Sequence, residues 1–257
     1  MSPKNQAQET SRHLKQRMFL VDLESSIQNI DVHKLDVTRL KKLNVNLCRV
    51  TLDQNSELKP HFFAPRHDIP QPSDEILDEA CSPENPAFTD PYNRAYVTHI
   101  YWQSYAFHDV DFLDSAPWVL VTIPPCGSLY QYDSPAFGTF STTDIAGGQF
   151  PHFKAVIYND LEADNETCFR GELLIILRLM LGQLKKIRLL HHHKAPVLLI
   201  SLAGKRARVL EAYFDEGSQS LIVRSSGLYG LSDRMSTSKT FKTLAEYYLG
   251  DLAGNTV

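Results

Sequence analysis

Three acidic side chains in the last third of the chain, Glu172, Glu211 and Asp215, have the type and placement best suited to chemistry. Converging carboxylates can hold a divalent ion and lower the pKa of its water. Glu172 stands out, because in helical projection it falls among the apolar positions Ile176 and Leu179. A carboxylate buried there without a partner is costly, so an ion pair with an arginine from the strands that follow, Arg208 or Arg224, is one expectation. A first-turn glutamate favoured by the helix dipole and open to solvent is another. Membership of an acidic, metal-holding site is the third. His191-His192-His193 is the other conspicuous feature: in an extended chain His191 and His193 project to one side and can share a metal, although no third ligand is identifiable. The bland alternative has the three histidines closing a helix at its carbonyl end. Asp109, Asp111 and Asp114 fit the start of a calcium loop but lack the rest of its pattern, so a solvated acidic turn is the simpler reading. Nucleotide-binding glycine motifs, a G-x-S-x-G elbow and an H-E-x-x-H helix are all missing, and no cofactor is expected.

The element that must position Glu172 is the apolar stretch from Phe169 to Leu190. Phe169, Leu173, Ile176, Leu177, Met180, Leu184 and Ile187 share one face, while Leu174, Ile175, Leu179 and Leu181 extend it around most of the cylinder. Such a helix is enclosed on several sides. Val197–Leu202, Val209–Phe214 and Leu221–Arg224 follow as strands separated by turns at Gly204-Lys205-Arg206 and Glu216-Gly217-Ser218, and Thr240–Leu249 closes as a helix. The expected class is therefore α+β: a central buried helix on a small, mainly antiparallel sheet in the order helix-strand-strand-strand, with a helical N-terminal region. In that region Leu14, Met18, Val21, Ser25 and Ile30 recur near helical spacing behind Thr10 and Ser11, Asp36 can cap a second short helix, and Val45–Leu52 reads as a strand. Ala95–Phe107, rich in aromatic residues, reads as a strand by propensity, as does Trp118–Ile123.

Seven of the fourteen prolines lie between Pro60 and Pro91, which excludes long regular structure there. The chain thus divides into an N-terminal segment (1–58), a proline-rich acidic excursion or linker (59–92), in which Ser73 can start one short helix, and an α+β core (93–257). Formal charge is uneven: +2 over 1–58, −12 over 59–167 and +6 over 168–257. Facing acidic and basic segments, or a basic surface for an acidic partner, both account for this. Four scattered cysteines, Cys48, Cys81, Cys126 and Cys168, suggest neither a disulfide framework nor a zinc knuckle. The first twenty residues interleave charges through any apolar run, and no run reaches the ~18 residues of a membrane span, so a cytoplasmic or nuclear protein with no membrane association is expected.

An acid on a helix followed by a three-stranded meander resembles the core of restriction-endonuclease-like nucleases, with Glu172, Glu211 or Asp215 in the first acidic positions. Leu221-Ile222-Val223-Arg224 lacks the acid and lysine of the third strand, so the resemblance implies a degenerate relative. Separately, Arg170-Gly171-Glu172-Leu173, Ala195–Ser201, Arg208–Asp215 and Leu228-Tyr229, with Pro151-His152-Phe153 upstream, resemble a group of uncharacterised proteins of filamentous fungi over residues 150 to 230. That resemblance implies a fungal source and an accessory role beside secondary metabolism, without a reaction. The leading expectation is a non-catalytic interaction or accessory protein with a protein partner or small molecule. The alternatives are a metal-dependent nuclease or phosphodiesterase centred on Glu172, Glu211 and Asp215, and a biosynthetic enzyme whose pocket is lined by Tyr96–Phe107. Nucleic acid is not favoured, because the aromatic stretch is not interleaved with lysine or arginine.

Overall fold

The computed structural model describes residues 9–53, 55–82, 90–108, 117–121 and 128–257. Among the described residues, six helices and ten strands follow one another as α1 (Ser11–Gln28), β1 (Lys34–Asp36), α2 (Val37–Lys42), β2 (Val45–Arg49), α3 (Asp74–Ala80), α4 (Pro91–Ala106), β3 (Trp118–Leu120), β4 (Phe137–Ile145), β5 (Phe153–Asn159), β6 (Thr167–Phe169), α5 (Arg170–Leu184), β7 (Val197–Ala203), β8 (Arg206–Asp215), β9 (Ser220–Ser225), β10 (Tyr229–Gly230) and α6 (Arg234–Leu249). The class is α+β with a mixed sheet. That sheet is larger and less uniform than the sequence suggests: eight strands, in the order β2-β9-β8-β7-β5-β4-β3 with β10 added to β8. Two of its pairings, β2 with β9 and β5 with β7, are parallel.

The parallel β5–β7 pairing explains the burial of α5. Parallel neighbours need a crossover, and α5 is the helix of that crossover. It lies on the sheet face formed by Ala155, Ile157, Leu199, Leu210, Ala212, Phe214 and Val223, with α1 and Leu129 packed in the same cluster. Every residue of α5 except Arg178 is buried. The helix is shorter than the apolar run implies: it stops at Leu184, with Lys185 as its C-cap, and Ile187–Leu189 form a separate short 3-10 turn in which Ile187 is exposed. The second face of the sheet, through Val156, Leu198, Ile200 and Val209, packs against α4 and α6 and against Phe62, Phe63 and Ile69.

Ala95–Phe107 is not a strand. Asp90 caps α4 by accepting from the Asn93 N–H, Pro91 opens its first turn, and Ala95, Thr98, His99, Trp102, Tyr105 and Ala106 form its buried face at helical spacing. Tyr96 and Ile100 point outward. The buried face of α1 also differs from the expected one: His13, Gln16, Leu20, Leu23 and Ile27 turn inward, whereas Leu14, Met18 and Val21 are exposed.

The described residues of the segment 1–58 do not stand apart from the core. Leu20, Leu23, Ile27, Leu40 and Val45 belong to the same apolar cluster as α5, and β2 is an edge of the main sheet. Arg170, at the start of α5, ties the two together by donating to the carbonyls of Ile27 and Gln28 at the end of α1. The proline-rich stretch likewise packs inward through Phe62, Phe63 and Ile69, and Phe63 forms an isolated bridge with Leu252.

Candidate functional site

Glu172 is fully buried at the third position of α5. Its Oε2 accepts the backbone N–H of Phe169 at 2.8 Å, so the side chain closes the first turn of the helix. Its main partner is Arg208 of β8, which donates from Nε to Oε1 at 2.8 Å and from Nη2 to Oε2 at 2.6 Å. The Nη1 of Arg208 donates to the carbonyls of Asp164 and Thr167, and its guanidinium lies 4.8 Å from the centre of the Phe169 ring. Burial opposes the charge of Arg208, and the Glu172 carboxylate beside it more than restores it, raising its pKa above the ordinary value. Cys168 sits against the same carboxylate at 3.4 Å, and burial first, then Glu172, pushes its thiol well above the usual range.

Arg224 does not join this pair. It stands opposite Glu211 in the β8–β9 register and donates from Nη1 to Glu211 Oε2 at 2.7 Å. Strand alternation separates the two pairs. Arg208 shares the parity of Leu210 and Ala212, on the α5 face, whereas Glu211 shares that of Val209 and Tyr213, on the α4 and α6 face. Asp215 ends β8 and accepts the N–H and hydroxyl of Ser218 in the turn beyond it. Glu172, Glu211 and Asp215 therefore do not converge. Among the described residues no group of three or more His, Cys, Asp and Glu side chains is placed to hold a metal.

The histidine run lies beyond the end of α5, and its middle member does the structural work. His192 is buried, with Nε2 3.0 Å from the Gln149 carbonyl and Nδ1 2.7 Å from the Thr256 hydroxyl. A carbonyl only accepts, so Nε2 carries the proton and Nδ1 receives the hydroxyl. Burial lowers the pKa of His192, keeping the ring neutral. His191 is exposed, while the backbone N–H of His193 bonds the Thr256 carbonyl. The run is thus a clasp on residue 256. Asp109, Asp111, Asp114 and Cys126 lie outside the described residues.

The Glu211–Arg224 pair positions a concave surface that the sequence does not reveal. Glu211 accepts the backbone N–H groups of His61 at 3.0 Å and Phe62 at 2.7 Å, and Arg224 Nη2 donates to the Leu58 carbonyl at 3.0 Å. An irregular segment, 58–62, is fixed in this way by a buried ion pair on the sheet. Three further backbone bonds, Ala64 to Asp251, Arg66 to Glu246 and Ala253 to Phe62, lock the segment to the last turn of α6 and to residues 251–253 beyond it. Between these walls lies a cleft of about 630 Å³, with Lys59, His61, Phe63, Pro65, His67 and Tyr247 among its lining residues. His61 has its pKa lowered, first by partial burial and then by Arg224.

Beneath the cleft, Lys154 is the residue least visible in the sequence. It is fully buried on β5, and its ammonium donates to the carbonyls of Tyr247, Tyr248 and Gly250 at 3.0, 2.9 and 2.9 Å. Its Nζ is 3.6 Å from the centre of the Trp118 ring. A cation placed on the last carbonyls of a helix is favourably aligned with the helix dipole. Burial nonetheless holds its pKa well below the ordinary lysine value. The only outward signal is a lysine inside an otherwise apolar strand, Phe153–Tyr158.

Comparison of the chain with protein-family models, with curated proteins and with solved structures finds no match. Among the described residues no helix is long and apolar enough to cross a membrane.

Proposed function

We propose that the protein is a non-catalytic binding protein and that the cleft between residues 57–67 and the end of α6 is its ligand site. The observation that carries this reading is the use of Glu211 and Arg224. A buried ion pair seldom adds much net stability, and its better-supported role is to specify one arrangement. Here the arrangement specified is the wall of a cleft. Ala64 and Pro65 offer apolar contact over a floor of the buried Phe63 and Tyr247, while Glu57, Lys59, His61 and His67 add polar groups. That combination suits a small, partly apolar molecule with hydrogen-bond acceptors. The acids that would have served a nuclease are engaged on opposite faces of the sheet, and α4 turns most of the aromatic stretch into the core, with Tyr105 and Ala106 lining a small second cavity, which favours binding over either enzymatic alternative. The accessory role that the resemblance of residues 150 to 230 implies is part of the same proposal.

Saturation-transfer NMR with a panel of aromatic carboxylates and neutral heteroaromatic compounds tests the proposal. Transfer to at least one class is expected, lost when His61→Trp fills the cleft and weakened when Glu211→Gln slackens the wall. Transfer that survives His61→Trp, or chemical conversion of a panel member on incubation, contradicts it.

A further inference from the structure

The outward face of α1 is assigned nothing by the cleft, yet its composition is unusual for an exposed surface. Leu14, Met18 and Val21 are 39%, 56% and 41% exposed and form one stripe. The opposite, buried face is apolar through Leu20, Leu23 and Ile27 but begins with His13 and Gln16, and among the described residues the Nε2 of His13 and both polar side-chain atoms of Gln16 have no hydrogen-bond partner there. A helix arranged only for the stability of its own chain would present the leucine and methionine inward. In a heptad frame Ser11, Leu14, Met18, Val21 and Ser25 occupy successive a and d positions, the seam of a helix pair.

The charges beside the seam say what covers it. Arg17 and Glu24, on one flank at g positions, are already engaged within the chain, Arg17 with Glu9 and Glu24 with Arg178. Lys15 and Asp22, on the other flank at e positions, are exposed and form no ion pair among the described residues. In an antiparallel helix pair e positions face e positions. A register centred between Phe19 and Leu20 sets Met18 of each copy against Val21 of the other and brings Lys15 of each within reach of Asp22 of the other. The same patch then meets itself around a two-fold axis, which is the requirement of an isologous dimer. A parallel pair would instead bring e positions against the flank whose charges are already taken.

We propose that α1 is the contact of an antiparallel, two-fold dimer of this chain, sealed by Leu14, Met18 and Val21 and oriented by two Lys15–Asp22 pairs. One helix pair is a small interface, so the dimer is weak, with a Kd on the order of micromolar.

Analytical ultracentrifugation of the full chain over a wide concentration range is the test, with circular dichroism and thermal melts verifying that each variant folds. The weight-average mass is expected to rise from 29.2 kDa towards twice that value. Met18→Lys, at an exposed position, should raise Kd by about tenfold or more without lowering the melting temperature. Lys15→Glu alone and Asp22→Lys alone should each weaken association, and the two combined should restore it, because the swapped charges again meet their opposites. A mass of 29.2 kDa at every concentration overturns the proposal. So does a dimer indifferent to Met18→Lys, or a double charge swap that fails to restore what the single swaps lose. Binding of phosphatidylserine vesicles by a chain that stays monomeric, abolished by Met18→Lys, would assign the stripe to a lipid surface instead.

Discussion

At the scale of single residues, the Glu172–Arg208 pair gives the sharpest expectation, because each is the buried counter-charge of the other. Glu172→Ala leaves a guanidinium buried with only the Asp164 and Thr167 carbonyls, and should cost about 3–5 kcal/mol in urea unfolding. Replacing both, with Glu172→Leu and Arg208→Met, should cost clearly less than the sum of the two single changes, since no charge is then left unpaired. Additive losses would show that the two groups are held independently. The need for a partner to Glu172 is visible in the sequence, because a carboxylate among Ile176 and Leu179 has few tolerable solutions. Which arginine lies nearby is not visible, because Arg208 and Arg224 differ only in the strand faces they occupy, and those depend on a register that spacing alone does not set. Lys154 is hidden for a related reason: its three acceptors lie about ninety residues away, at the end of α6.

Among the elements, those legible in advance have local signals. The caps at Thr10, Asp36 and Ser73 each accept a backbone N–H in the first turn of their helix. The three strands after α5 fall where β-prone runs alternate with turns, and Gly204 takes the positive φ that the β7–β8 turn requires. Helix α4 is mistaken for a strand when aromatic propensity outweighs the Asp90-Pro91 start signal and the helical spacing of Thr98, Trp102 and Tyr105. The error is instructive: propensity for the strand state largely reflects packing on a half-buried surface, and a helix lying on a sheet offers the same kind of surface. The approach of α5 to the sheet leads to a further expectation. Gly171 sits so close to β4 and β5 that a Cβ there would lie 2.6 Å from Phe137 Cγ and 2.7 Å from Asn159 Oδ1. Gly171→Ala should therefore lower the melting temperature, although alanine is favoured over glycine in an isolated helix by about 1 kcal/mol. A melting temperature raised by this change would mean that α5 can back away from the strands.

For the molecule as a whole, stability should depend on acidity through two histidines on the α4 and α6 side of the sheet. His99 and His152 are held neutral by burial, each with its pKa lowered to about 4. Unfolded, each would take up a proton near 6.5, so between those values the unfolded chain binds more protons and folding weakens as the pH falls. The contribution is complete above about 6.5 and amounts to at most about 3 kcal/mol for each group. Urea denaturation at about pH 7 and about pH 5 should show the loss, and His99→Phe should remove its part of the slope. Equal midpoints at both pH values would mean that neither ring is kept neutral by the fold. The parallel pairing of β2 with β9 also bears on how the chain is made. During synthesis, a strand finished before residue 50 must wait for residues 220–225 to emerge before its hydrogen bonds have a home. Until then the edge that β2 completes stays open, and α1 in turn waits for α5, the helix it packs against, so both carry uncovered apolar surface as the chain grows. Assembly is consequently expected to be slow, governed by the closing of one very long loop and dependent on protection from aggregation until the last strands arrive.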